Sequence, residues 1–163
     1  MLQTIARSIQ DTALAQWIST SDAAFPWIET IHVICITTMV GVIAVLDLRL
    51  LHAAWSRRPV RQVSAEVLPF TWGAFVLAAI TGALLFSSKA SEYVENWPFR
   101  LKMLTIACAG INMVVFHFTT YRGVDGWDTG QAPPRAARVA AGLSLLFWAT
   151  VIVFGRWIGF TVR

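Results

Sequence analysis

The chain has 163 residues, of which 56% are hydrophobic and 13% charged, with a mean hydropathy of +0.61. A soluble domain carries roughly 25% charge, so these proportions exclude a water-exposed fold and describe a protein made for lipid. The formal charge of +4 sits beside apolar segments, where arginine normally sets topology, and no nucleic-acid partner is expected.

Residues 1–20 place Leu2, Ile5, Ile9, Ala13 and Trp17 at helical spacing, with Gln3, Arg7, Gln10 and Asp11 elsewhere around the wheel. This pattern predicts an amphipathic interfacial helix, too interrupted to span. The basic n-region and small-residue cleavage site of a signal peptide are not evident, so the first span is expected to act as the insertion signal. Ser19 to Asp22 read as a turn, and Pro26 suits the first turn of the next helix.

Four predicted spans follow, about 25–51, 67–87, 100–121 and 137–160, each with a charge-free stretch long enough for the hydrocarbon core. The chain is thus read as one all-α domain over 1–163, an integral membrane four-helix transmembrane bundle. The connections are short: 53–66 is basic, 88–99 carries Trp97 and Pro98, and 122–135 holds Gly123, Gly126, Gly130, Pro133 and Pro134. Arg57, Arg58, Arg61, Arg122, Arg135 and Arg138 flank the first and third loops. By the positive-inside rule those loops are cytoplasmic and both termini lie outside, although Arg7, Lys89, Arg100, Lys102, Arg156 and Arg163 nearly balance the count.

Eight tryptophans are many for this length. Trp17, Trp27, Trp55, Trp97, Trp127 and Trp157 fall near span ends and read as interfacial anchors, whereas Trp72 and Trp148 sit where they could also flank a cofactor. Cys35 and Cys108 lie in apolar segments and read as small core residues, with no CxxC spacing for a metal.

Ionisable side chains inside a bilayer are costly, so they face the bundle interior, pair, or mark a functional path. They fall into two groups. An outer group holds Glu29 and His32, Arg100 and Lys102, and Arg156; an inner group holds Asp47, Arg49 and His52, with Asn112 and His117. On a helical wheel Glu29, His32 and Asp47 share one face to within about 60°, as do Lys102 and His117. The first and third spans run in the same direction, so His32 is level with Lys102 and Asp47 with His117, about 22 Å further along.

These positions leave several chemistries open. Asp47 and His117 are read either as a buried structural pair or as a polar relay with Glu29. His52 and His117 are an alternative pair of haem ligands, although His52 points away from the polar face. Glu29 and His32 could contribute to a metal site, with His32 the metal ligand, but two ligands are too few to specify one. Arg100 and Arg156 either snorkel to headgroups or, with Lys102, receive an anionic group such as haem propionates. No nucleophile with its base, phosphate loop or metal tetrad appears, so catalysis is left open.

The runs Glu29-Thr30-Ile31-His32, Asp47-Leu48-Arg49-Leu50-Leu51 and Phe99-Arg100-Leu101-Lys102-Met103, the pair Phe116-His117 and the ending Gly155-Arg156-Trp157-Ile158 resemble a bacterial family of uncharacterised four-span membrane proteins over nearly the whole chain. A histidine opening one span and a lysine opening a later one is also distantly similar to HemJ-type protoporphyrinogen oxidases and CopD-like copper-resistance proteins. In the HemJ type that pair is associated with haem. The resemblance therefore implies haem b, with His32 as axial ligand and Lys102 as second ligand or partner, but not the oxidase activity.

The leading expectation is accordingly a small b-type haem protein of the bacterial inner (cytoplasmic) membrane that moves electrons, its termini periplasmic. Arg100 and Arg156 would hold the propionates, and a quinone or a redox protein would be the partner. A copper or small-anion binding or transport accessory is a second expectation. A third is a structural subunit of a larger complex or homo-oligomer, with Gly41, Gly73, Gly82, Gly110 and Gly142 allowing close helix approach.

Overall fold

The computed structural model describes residues 1–128 and 132–162. Gly130 of the third loop and Arg163 of the charge count lie outside the described residues. Among the described residues every regular element is a helix.

The single N-terminal helix expected over residues 1–20 is two: α1 (Leu2–Gln10) and α2 (Ala13–Thr20). Thr12 causes the break, because its backbone is extended and its hydroxyl caps the Ala15 N–H of α2. Leu2 and Ile5 remain exposed while Ala6 is buried, which leaves the apolar stripe of α1 facing outward, as an interfacial helix requires. Ala15 and Ile18 tuck α2 against the bundle.

Four helices are long and apolar enough to cross a membrane: α3 (Ala24–Leu50), α4 (Val60–Ser88), the run from Trp97 to Gly126 that begins with α6 (Trp97–Val115), and α7 (Arg135–Thr161). The short helix α5 (Ala90–Glu95) joins α4 to α6. At a rise of about 1.5 Å per residue each exceeds the roughly 30 Å hydrocarbon core, so this is a multi-pass membrane protein. Large side chains such as Ile34, Leu77, Leu104 and Val153 face outward, and Trp17, Trp27, Trp97 and Trp157 are exposed near the helix ends. Trp127 is half-buried, packed against the core at the loop end of the bundle.

Helix α4 starts seven residues before the predicted span. Val60, Val63 and Val67 form a buried stripe at helical spacing, while Arg61, Gln62 and Glu66 face out, so this amphipathic turn is helix rather than loop. Helix α6 likewise begins early, capped by the Asn96 carboxamide, which accepts from the Phe99 N–H at 3.0 Å, with Pro98 in the first turn. Its far end loosens into a π turn (Phe116–Thr120) and a 3-10 turn (Tyr121–Gly126).

The long helices form two antiparallel pairs, α3 with α4 and α6 with α7, joined through α3 and α7, whereas α4 and α6 are not a closely packed pair and meet at the terminal end through the stacked rings of Phe86 and Phe99. One end of the bundle carries both termini and α5. There Gln10 Oε1 accepts from the Ser91 hydroxyl at 2.6 Å and the Ser91 N–H at 3.1 Å, mooring α1 to α5. The opposite end, the loop end, holds the core of Leu50, Val60, Val124, Ala137 and Ala141. Arg49 is completely buried in it, donating from Nε to the Arg58 carbonyl at 2.6 Å and from Nη2 to the Asp128 carbonyl at 3.3 Å.

Candidate functional site

Two polar layers lie inside the bundle. The first, towards the terminal end, draws on all four long helices. His32 of α3 leans on α4, where its Nδ1 lies 2.9 Å from the Thr81 hydroxyl. That hydroxyl donates to the Leu77 carbonyl at 2.7 Å, so its oxygen is left to accept from Nδ1–H. This arrangement favours the Nδ1–H tautomer, with the Nε2 lone pair directed away from Thr81.

Beside the ring is Gly82. A Cβ there would stand 2.9 Å from His32 Cε1, so only glycine leaves the imidazole its place. Lys102 of α6 also lies beside a glycine of its partner helix, but less tightly, since a Cβ on Gly155 would stand 3.7 Å from the Lys102 ammonium, an ordinary contact. The ammonium is within electrostatic range of the His32 ring. Each helix pair thus carries one nitrogen base against a glycine of its own pair, and the fold brings the two bases to one level.

Three further charged residues lie at the rim of this layer. Glu29 and Arg156 line one open recess of about 350 Å³ between α3 and α7. The Arg156 guanidinium also sits 4.9 Å above the Phe160 ring, while Arg100 is exposed and donates from Nε to the Val94 carbonyl at 2.6 Å. Just outside the spans, Tyr93 stacks on Phe86 and lies tilted against Phe99, the three rings forming one cluster. Burial, and then the carboxylates of Glu29 and Glu92, push its phenol above the ordinary tyrosine range.

The second layer, towards the loop end, differs from expectation. Asp47 is buried, with the Ser144 hydroxyl beside its carboxyl, but His117 is exposed and stacked on Tyr121 at a centroid distance of 5.1 Å. The expected Asp47 to His117 contact is therefore not made, either as a structural pair or as a relay. The cause is local: in the π turn Phe116 takes the inward position against the core, and His117 follows it round to the outer surface.

His52 is likewise a surface ring. It follows α3 with φ +62°, and its N–H donates to the Arg49 carbonyl at 3.1 Å while the Ala53 N–H reaches the Leu48 carbonyl at 3.0 Å. This is a Schellman termination with histidine in the position that glycine usually fills. His52 and His117 thus do not face the interior as a ligand pair. Among the described residues no group of three or more His, Cys, Asp or Glu is placed to hold a metal ion, so Glu29 and His32 have no third such partner.

Thr81, Gly82, Gly155 and Ser144 do not stand out as site residues in the sequence. Thr81 and Ser144 are polar residues on the interior faces of apolar helices, a signal present in the chain but common enough to pass unmarked.

Fold and polar layers together define a small all-α, multi-pass membrane protein with ionisable residues held between two helix pairs. Residues 14–161 match the family of unknown function DUF6644, and the chain belongs to that family. Neither the curated proteins nor the solved structures contain a match to it.

Proposed function

We propose that this protein binds haem b at the level of His32 and Lys102 and serves in electron transfer. The observation that carries the reading is the hydrogen bond between His32 Nδ1 and the Thr81 hydroxyl, because a ligating histidine is typically oriented through its second nitrogen in this way. The donor set suits the group. His32 offers an unprotonated Nε2 from one helix pair, Lys102 offers an amine from the other, and Gly82 and Gly155 let the two side chains lie close against α4 and α7.

His32 would hold the iron, Lys102 would be the second ligand or a partner to it, and Arg156 and Arg100 at the rim would receive the propionates. Bound haem would supply a one-electron iron couple. The protein's part is to fix the imidazole tautomer, keep a cation near it and surround both with apolar helices, which control potential through burial and hydrogen bonding. The distant likeness of the His32 and Lys102 pattern to HemJ-type and CopD-like proteins supports the cofactor but carries no oxidase activity to this chain. A bacterial inner membrane with both termini periplasmic fits the arginines clustered at the loop end.

The absorption spectrum of protein purified after expression with ample haem tests this. A Soret band that is lost in His32→Ala is the expected result; no band in the wild type overturns it. Metal found by elemental analysis without a chromophore would point to the copper or anion accessory. Stable co-purification with other subunits would point to a structural role.

A further inference from the structure

A second, separate site lies between the helix pairs towards the loop end. It is a cavity of about 200 Å³, walled mostly by apolar groups such as Ile43, Ile106, Trp72 and Trp148. Four polar side chains break that wall: Asp47, Thr71, Asn112 and Ser144. Gly110 also lines it, and a Cβ added there would meet nothing within 4 Å.

Three of the four present free acceptors. Asn112 uses an amide N–H on the Ala140 carbonyl at 2.9 Å, which leaves its own carbonyl oxygen available. The Thr71 hydroxyl donates to the Val67 carbonyl at 3.0 Å, so its lone pairs remain. Asp47 is only 5% exposed, and its Oδ2 is buried with no hydrogen-bond partner among the described residues. Buried polar atoms are almost always satisfied, and an orphan in a cavity is an atom that a bound group can complete.

The cavity also has a way in. Helices α4 and α6 meet through Phe86 and Phe99 at the terminal end and are not a closely packed pair, and at the level of the cavity Trp72 and Phe75 on α4 and Met113 on α6 line it while staying partly exposed. The opening therefore faces the lipid and not the water. Size limits the occupant, since a cavity of about 150 Å³ holds a single benzene ring.

We infer that this cavity binds a membrane-soluble ring alcohol, a phenol or hydroquinol with an apolar tail, whose hydroxyl donates to Asp47 Oδ2. The ring fills the space between Trp72 and Trp148, and the tail leaves between α4 and α6 into the bilayer. Asn112 and Thr71 stand ready to accept a second hydroxyl. The site uses neither His32 nor Lys102, and its occupancy is independent of haem.

Full-length protein in lipid nanodiscs, titrated with decylhydroquinone and followed by quenching of tryptophan fluorescence, tests the inference. The bis-methyl ether of the same compound is the control. Saturable quenching is expected for the hydroquinone, with affinity about tenfold lower for Asp47→Leu, which removes one hydrogen bond, and at least as much lower for the ether, which can donate none. The response should vanish in the Trp72→Phe, Trp148→Phe double variant. Gly110→Leu starts from a Cβ in open space, projects into the cavity and should abolish binding in a protein that still unfolds cooperatively, while His32→Ala should retain it. Equal affinity for diol and ether, or unchanged binding in folded Gly110→Leu, overturns the proposal.

Discussion

Thr81 Oγ1 stands 2.9 Å from His32 Nδ1 across the α3 and α4 interface, and because its hydroxyl donates to the Leu77 carbonyl the contact favours a proton on Nδ1. Thr81→Val keeps the shape and removes the acceptor, leaving Nδ1–H unpaired in an apolar layer. The expected loss is about 1–3 kcal/mol, read as a lower unfolding temperature in detergent. Thr81→Ser restores the acceptor and should recover most of it. An unchanged unfolding temperature in Thr81→Val would show that the ring is not held by this bond.

Gly82 and Gly142 make opposite predictions from the same substitution. Alanine is favoured over glycine inside a helix by about 1 kcal/mol, and a Cβ on Gly142 meets nothing within 4 Å, so Gly142→Ala should stabilise. On Gly82 a Cβ would lie 2.9 Å from His32 Cε1, so Gly82→Ala must displace the imidazole and should destabilise despite its better propensity. Paired thermal unfolding curves check both, and equal shifts in the two variants would contradict the packing described.

The four spans are legible in the sequence because an apolar run long enough for a bilayer is seldom found in any other kind of helix, and His32 and Lys102 are legible as a level pair because both depth and face follow from helical geometry. What is hidden depends on local backbone. Nothing in Phe116-His117-Phe118 announces a π turn, yet that turn decides which of the three faces inward, and so the wheel brings Asp47 and His117 together where the fold does not. His52 has the chemistry of a ligand, but its position, beyond the end of α3, makes it a helix terminator. The glycines beside His32 and Lys102 depend on which helices pair, which periodicity within one segment does not reveal.

Arg49 is a buried cation whose role is to join loops. Its guanidinium reaches the carbonyls of Arg58 and Asp128, while the Arg61 N–H donates to Asp128 Oδ1 at 3.1 Å, so one side chain ties the first loop to the third. Arg49→Leu removes both hydrogen bonds to these part-buried carbonyls and should cost about 2–4 kcal/mol. Arg49→Lys keeps the charge but loses the fork and should fall in between. Calorimetric unfolding of the three proteins would show the order; a Leu variant as stable as the wild type would mean that the loops are held by other contacts.

Tyr93 gives the protein a defined alkaline limit. Burial first, and then the negative charges of Glu29 and Glu92, hold its phenol above the usual value near 10. The folded state keeps this proton more tightly than the unfolded chain does. Its contribution to stability is fully present below the unfolded pKa and is lost as pH rises through the higher folded value. The unfolding temperature should therefore decline above about pH 10, and the decline should be shallower in Tyr93→Phe. Because the chain has two tyrosines, the difference in phenolate absorbance between wild type and Tyr93→Phe isolates this group. Ionisation of Tyr93 at or below pH 10 in the folded protein would mean that α5 does not bury the ring against Phe86 and Phe99, and that the mooring of α1 to α5 is looser than the Gln10 to Ser91 hydrogen bonds imply.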